Sequence, residues 1–486
     1  MNLPDQKAPA AGTHGRIDRY FALTERGATI GGEVRAGVVT FVAMAYIVVL
    51  NPIILSSGTD VAGDTLGFAQ VAATTALTAG VMTILFGLVA RLPFAFAAGL
   101  GINSFLAVSV VGGVTWPEAM GLVLINGVII VLLAVTGLRR RIFDAVPLAL
   151  KTAITVGIGL FIAFIGLVNA GFVQSTGLAS PPVGLGTGGS IATIPTLMFV
   201  LTLLVSAVLM ARRVKGALLI GLVTGTVLSV IVEAIWHLGP RVGDDGAVNP
   251  GGWSLTVPEL PASIVSLPDL SLIGQVSFGS FERIGVLAAT MLVFTLLFTN
   301  FFDAMGTFTG LSREAGLADE RGNFPRLRSA LVVEGLGAVA GGFTSSSSNT
   351  VFVESGTGIG EGARTGIANL VTGVLFLLAM FVTPLTTIVP TEIASAALVL
   401  VGALMMSQIR YVDLTDLSVL IPVFLTIIVM PMTYSIADGI GAGFISWVIV
   451  RSLSGAARSI SPLLWIVAAG FVVFFARGPL EALLGV

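Results

Sequence analysis

The stretches 36–59, 92–117, 152–211, 365–391 and 439–450 contain no Asp, Glu, Lys or Arg. A run of about 20 apolar residues is long enough to cross the hydrocarbon core of a bilayer. This chain of 486 residues has many such runs, and only 10% of its residues are charged. A soluble domain carries about 25%. The mean hydropathy of +1.01 agrees. Backbone facing lipid must satisfy its own hydrogen bonds, so the spans are expected to be helices. The expected fold class is therefore an all-α polytopic membrane protein.

Cysteine is absent and histidine occurs only at His14 and His237. Disulfides, thiolate metal sites and a cysteine nucleophile are excluded. His14 falls in the tail and His237 at the last turn of a span near a loop, so a proton relay in the middle of the membrane has to use carboxylates. The first 30 or so residues are polar and basic, unlike a cleavable signal peptide. Within them, "RIDRYFALTERG" reads equally as a segment along the membrane surface or as a solvated tail.

Spans are predicted at 33–55, 67–90, 93–112, 118–138, 148–170, 192–211, 216–238, 284–310, 329–342, 344–362, 366–389, 394–409, 416–431 and 435–452. A further apolar stretch, 461–478, fits either an extra span or an interfacial helix. Positive charge concentrates in cytoplasmic loops. With the N-terminus in the cytoplasm, only Arg241 and Arg283 of the 24 Lys and Arg fall outside, with Arg477 depending on the last segment. The expected location is the cell (plasma or inner) membrane, multi-pass, with a cytoplasmic N-terminus. The external loop 239–282 joins two halves.

The halves echo one another. "VPLALKTAITVGIG" opens the fifth span and "VPTEIASAALVLVG" the twelfth, with Pro147–Gly159 and Pro390–Gly402 equally spaced. The third span, "PFAFAAGLGINSF", and the tenth, "GFTSSSSNTVFVES", are both interrupted by Gly, Ser or Asn. Seven spans separate each pair, and an odd repeat inverts the second half. Paired broken segments in inverted halves mark a transporter binding site; alternatively, Gly and Ser merely allow helices to pack closely. Glu354 lies in the tenth span, where a buried charge costs at least ~3 kcal/mol. A residue with that cost usually faces a polar cavity, and the serines and Asn349 can hydrogen-bond around it.

Six segments, "EVRAGVVTFVAMAYIVVLNPIIL" (33–55), "AGLGINSFLA" (98–107), "AITVGIGLFIAFIGLVNAG" (153–171), "NFFDAMGTFTG" (300–310), "VFVESGTGIGEGARTG" (351–366) and "MPMTYSIADGIGAGFISWV" (430–448), resemble the AzgA-like purine nucleobase permeases of the nucleobase–ascorbate transporter superfamily. The resemblance runs in order through nearly the whole chain. It implies a 7+7 inverted-repeat transporter of about 14 transmembrane segments. A core domain would comprise 33–138 and 283–390, and a gate domain 139–238 and 391–455. The tail 1–32, the loop 239–282 and the apolar segment 456–486 lie outside both. It further implies proton symport of adenine, guanine or hypoxanthine by alternating access, and relatives that commonly form homodimers. A xanthine or uracil permease is the alternative within the superfamily; an anion exchanger or channel is a more distant one.

Carried over by position, the resemblance matches the family's site to Asp303 in the eighth span, Glu354 in the tenth and Asn103 in the third. Asn300 stands where many members have a second acidic residue, and Ala98 where the third span usually has Pro. Asn300 can donate to and accept from a purine but cannot carry a proton. A buried carboxyl can bind a purine N–H and also take up and release a proton. Glu354 is the first candidate for binding and a candidate proton carrier. For Asp303, binding, proton transfer and pinning of the core helices remain equal readings. Phe94, Phe96, Phe105 and Phe352 flank the broken elements and can stack on a ring, although core packing explains any one of them as well. The expected set is thus Glu354, Asp303, Asn300, Asn103, Asn349 and Phe352 for substrate, with Glu354 and Asp303 for the proton. Glu361 and Arg364 are expected in a salt bridge at a domain edge. Glu334 either faces the bundle interior or pairs with Arg328. "GTGIGEG" (356–362) lacks the GK[ST] ending of a phosphate loop. No nucleophile–base pair, metal cluster or cofactor motif suggests an enzyme. The expected partners are a purine, protons and the bilayer, without cofactor, metal or nucleic acid.

Overall fold

The computed structural model describes residues 15–138, 145–178, 180–186, 189–243, 247–261, 263–318, 324 and 326–476. His14, Arg321 and Arg477 lie outside them. Among the described residues, nine helices are long and apolar enough to cross a membrane. They are Ile30–Ser56 (span 1), Phe68–Val89 (span 2), Trp116–Thr136 (span 4), Leu148–Asn169 (span 5), Ile194–Ala211 (span 6), Ala217–Trp236 (span 7), Gly366–Ile388 (span 11), Thr391–Arg410 (span 12) and Ile436–Ser459 (span 14). A helix of 22 residues, such as span 2, is about 33 Å long, which matches a hydrocarbon core of about 30 Å. Span 8 is the helix Val286–Glu314, span 9 is Leu327–Phe343 and span 13 is Leu417–Thr433.

Spans 3 and 10 are broken, as expected. Span 3 begins as strand β1 (Phe96–Ala98) and continues as the helix Leu100–Phe105. A hairpin of β2 (Val173–Ser175) and β3 (Val183–Leu185) follows span 5. Span 10 begins as β4 (Asn349–Val351) and continues as the helix Ser355–Gly360. The last apolar stretch forms the helix Pro462–Phe475 of 14 residues, about 21 Å long and shorter than the hydrocarbon core. It packs on span 14, where Phe471 stacks with Phe444.

The pattern of helix contacts repeats with a shift of seven spans. Span 2 packs on span 11, and span 9 packs on span 4. Spans 13 and 14 pair, as do spans 6 and 7; span 13 packs on span 5, and span 6 on span 12. Two pairs map onto themselves: β1 with β4, and span 5 with span 12. At the second crossing the two glycines of the sequence repeat face each other. A Cβ on Gly159 would lie 2.9 Å from the Gly402 carbonyl oxygen, and a Cβ on Gly402 would overlap the Gly159 carbonyl oxygen. Pro147 and Pro390 cap the N-termini of these two helices. The crossing is therefore set by the absence of side chains at matched positions, the usual device where lipid supplies no hydrophobic drive between helices.

Local chemistry fixes the helix starts. Thr115 and Glu118 form a capping box on span 4. Glu33 of span 1 is fully buried, and its carboxylate accepts from the backbone N–H groups of Arg364, Thr365 and Ala368 at 2.7, 3.0 and 3.1 Å. It thereby satisfies the open N-terminus of span 11, where negative charge is favoured. The loop between spans 7 and 8 is tied down by Trp253, whose indole donates to Glu233, and by Ser254, which donates to Glu392. Glu361 pairs with Arg35 and Lys215 rather than with Arg364, whose guanidinium donates to the Ile359 and Ala363 carbonyls.

Replacing Gly402 by Ala is expected to lower the yield of monodisperse protein severely, because both glycine backbones would have to separate. Gly470→Ala, where nothing lies within 4 Å, serves as the control. Comparison by size-exclusion chromatography in detergent checks this; equal profiles for the two variants would contradict the crossing described.

Candidate functional site

Two broken spans cannot complete their backbone hydrogen bonds alone. Here they complete each other. β1 and β4 pair antiparallel, with Phe96 opposite Val351, Ala97 opposite Thr350 and Ala98 opposite Asn349. The ladder is extended by Gly99 N–H to Ser348 O at 2.9 Å and Phe352 N–H to Ala95 O at 3.0 Å. Side chains take the remaining groups. Ser355 Oγ accepts from Ala95 N–H, Thr83 Oγ1 from Phe96 N–H, and the Asn369 amide donates to Phe94 O.

The serine run turns the chain from span 9 into β4. Ser345 and Ser347 adopt the left-handed region, at φ +57° and +67°. That conformation costs an L-residue roughly 1–2 kcal/mol. It directs the Ser346 carbonyl to the Asn51 amide at 3.1 Å, while Ser346 Oγ accepts from Asn349 Nδ2 at 3.2 Å. Asn51 is fully buried and also donates to Thr75 Oγ1 at 2.8 Å and accepts from Asn103 Nδ2 at 2.5 Å. Asn300 Nδ2 donates to Ser348 Oγ at 3.0 Å. Asn300 and Asn349, from spans 8 and 10, are thus held directly on one serine turn, and Asn103 of span 3 is tied to it through Asn51.

Glu354 sits at the start of the half-helix Ser355–Gly360. Its Oε1 accepts the hydroxyl of Tyr46 at 2.6 Å. Tyr46 is fully buried and lies at the junction of the helices Ile30–Met44 and Ile47–Ser56 within span 1. Glu354 itself is only partly buried. Asp303 follows Asn300 by one helical turn, is also partly buried, and lies within electrostatic reach of Glu334 and Glu354. Glu334 faces the bundle interior with no exposure, and Arg328 instead donates to the Val135 carbonyl.

The aromatic residues divide. Phe94 and Phe96 are fully buried in a ring cluster with Phe86, Phe308 and Phe324, which is core packing. Phe105 is buried as well. Phe352 is buried beside Glu354 at the end of β4. A cavity of about 650 Å³ lies elsewhere, lined by Ser109, Gly113, Ile284, Leu292 and Phe474 among others. The candidate residues do not line it.

Sequence reasoning missed Tyr46 and Asn51. The signal was present: both are polar groups inside the apolar first span, in "AYIVVLN". An intramembrane polar residue calls for a partner.

Residues 31–441 match the Permease family (Xan_ur_permease). The chain is 36% identical to the adenine permease AdeP of Escherichia coli (strain K12) over 462 residues, covering 94% of this chain and 96% of that one. It is 35% identical to the guanine/hypoxanthine permease PbuG of Bacillus subtilis (strain 168), covering 94% and 98%. Among solved structures, the transmembrane domain of the cyanobacterial bicarbonate transporter BicA superposes with TM-score 0.60 at 15% identity, covering 84% of this chain and 97% of that one. The murine anion transporter Slc26a9 in its inward-facing state gives 0.59 at 10% identity, covering 92% and 74%. The chain belongs to the Permease family and has the 7+7 inverted-repeat fold of a multi-pass membrane transporter; it is not an enzyme.

Asn51→Ala should lower the thermal unfolding midpoint in detergent. It removes a buried amide with three partners and strands the Asn103 side chain; each orphaned group costs about 1–3 kcal/mol. An unchanged midpoint would show that the Asn51 network contributes nothing.

Proposed function

We propose that this member of the Permease family imports purine nucleobases (adenine, guanine or hypoxanthine) by proton symport. The observation that carries the reading is the partly buried Glu354 carboxylate where the two broken spans meet, in a chain about 35% identical along nearly its whole length to an adenine and a guanine/hypoxanthine permease.

The chemistry suits a purine. Its edge alternates donors and acceptors over a planar face. Glu354 accepts from a ring or exocyclic N–H, with Tyr46 fixing the orientation of the carboxylate. Asn300 and Asn103 offer amides that both donate and accept, Asn349 offers its amide oxygen, and Phe352 offers a face beside them. Asp303 and Glu354 are the groups able to carry the proton. The carboxyl-rich, arginine-free character of the site argues against an anion substrate, although the anion transporters above share the fold.

Alternating access follows from the division into a core (33–138 and 283–390) and a gate (139–238 and 391–455). Contacts between the two at opposite ends support this mechanism. At the N-terminal face, Lys215 of the gate pairs with Glu361 of the core. At the other face, the Ser109 hydroxyl of the core donates to the Tyr434 carbonyl of the gate at 2.9 Å. These contacts must break in turn as the core moves. The excess of Lys and Arg supports a cytoplasmic N-terminal face. A homodimer is the assembly in keeping with this reading.

Uptake of labelled hypoxanthine, guanine and adenine, with competition among purines, xanthine and uracil, tests the substrate. Uptake displaced only by xanthine or uracil would overturn the purine reading. Glu354→Gln should nearly abolish uptake with the protein still in the membrane; near-normal transport would remove Glu354 from the site. Transport should collapse with a protonophore and not require sodium; the reverse pattern sinks proton symport.

Tyr46→Phe should leave Glu354 present but misoriented. The apparent KM should rise by roughly 5- to 150-fold, from a lost hydrogen bond of about 1–3 kcal/mol. An unchanged KM in well-expressed protein would show that the hydroxyl does not serve the site.

A further inference from the structure

The segment "RIDRYFALTERG" forms the short helix Arg16–Phe21 and docks on the face where spans 2 and 10 end. Phe21 and Leu23 are buried with Ile367. The Tyr20 hydroxyl donates to the Leu88 carbonyl at 2.9 Å, and the Arg91 guanidinium lies 3.7 Å over the Tyr20 ring. Arg26 Nη1 donates to the Arg91 and Arg364 carbonyls at 2.7 and 3.0 Å. Arg326, which precedes span 9, donates through Nη1 to the Val89 carbonyl at 3.2 Å. Three guanidiniums from three separate parts of the chain therefore converge on Leu88–Arg91, the end of span 2.

Part of this is ordinary helix termination. Cations near a helix C-terminus satisfy its open carbonyls and suit its dipole. Termination uses few of the donors, however. A guanidinium has five N–H groups, and Arg26 and Arg326 each commit one nitrogen to these carbonyls. Three like charges also repel. Burial pulls the Arg26 pKa below the ordinary guanidinium range; Arg326 and Arg91 pull it the same way, while Glu25 and Glu33 oppose them. Glu33 is committed to the span 11 N-terminus, and Glu25 is exposed.

The apolar surroundings indicate what the surplus donors meet. Ile17, Tyr20, Leu88 and Val89 are exposed at 57, 41, 39 and 38%. They rim the cluster at the end of a transmembrane helix, so it lies at the edge of the apolar belt. An interfacial helix with basic residues beside apolar ones is the pattern of attachment to an anionic membrane surface.

We propose that Arg26, Arg91 and Arg326 form a binding site for the phosphate of an anionic phospholipid, which holds the N-terminal helix against the end of span 2. The site is separate from Glu354 and does not depend on which substrate is carried.

The test uses the purified full-length chain in detergent, with short-chain phosphatidylglycerol, short-chain phosphatidylcholine or inorganic phosphate added, and follows thermal unfolding. Phosphatidylglycerol should raise the midpoint in a saturable, salt-sensitive way; phosphatidylcholine and inorganic phosphate at the same concentration should not. R26Q/R326Q should need about 30-fold more phosphatidylglycerol for half the effect, at roughly fivefold per guanidinium. R26K/R326K, which keeps the charge, should retain most of the response. An equal response to phosphatidylcholine overturns the proposal on the wild type alone, so the conclusion stands even where the glutamine variant fails to fold. An equal response to inorganic phosphate overturns the lipid assignment in favour of a free-anion site. An unchanged phosphatidylglycerol response in R26Q/R326Q reduces the arginines to helix caps.

Discussion

Water does not reach the middle of a bilayer, so every backbone N–H and C=O there needs a partner within the protein. The pairing of β1 with β4 is this chain's answer for its two interrupted spans, and the rest of the site depends on it. Once Phe96–Ala98 and Asn349–Val351 share hydrogen bonds, the backbone of the two broken spans is paired where the half-helices that follow begin. The polar side chains around the ladder, Thr83, Ser355 and Asn369, finish the accounting. The serines of 345–348 act in the same way: their backbone makes the turn, and their oxygens receive the amides of Asn51, Asn349 and Asn300.

The inverted repeat explains why such a site can exist at all. A single broken span would have to pair with an intact helix, which has no free backbone to offer. Two broken spans related by a pseudo-twofold axis meet each other, and the same symmetry brings Gly159 onto Gly402. The strand pair and the glycine crossing are the two self-related contacts of the fold.

Much of this was legible from residues alone. The spans, their breaks at 93–112 and 344–362, and the matched Pro147–Gly159 and Pro390–Gly402 spacings follow from hydropathy and repetition, which are properties of short windows. Glu354 stood out because a carboxylate is costly at membrane depth; Asp303 was singled out by the family resemblance. What local reading did not reveal are the partners. Tyr46 lies 308 positions from Glu354, and the Lys215–Glu361 pair replaces the expected sequence neighbour Arg364. Only the folded arrangement of spans decides such contacts. Asn51 was hidden for another reason: beside Pro52 in an apolar helix, it reads as a helix irregularity rather than as the hub of a network.

A comparison of buried carboxyls shows how placement separates support from function. Glu33 has both oxygens engaged by three backbone N–H groups, is wholly buried, and ends the story of one helix start. Glu118 is committed to Arg283 at 2.8 Å and to the capping box of span 4. Glu354 differs from both. A single side-chain hydroxyl holds one oxygen, and the group remains partly accessible. A carboxyl saturated by fixed donors has nothing left to exchange; one held at a single point, with Asp303 within electrostatic reach, keeps the capacity to accept a ligand N–H or a proton. Glu33 and Glu118 each serve a helix start, whereas Glu354 lies where the two broken spans meet span 1. The difference lies in how many of each carboxyl's hydrogen bonds the fold has already claimed, and by that measure Glu354 keeps more of its hydrogen-bonding capacity open than Glu33 or Glu118.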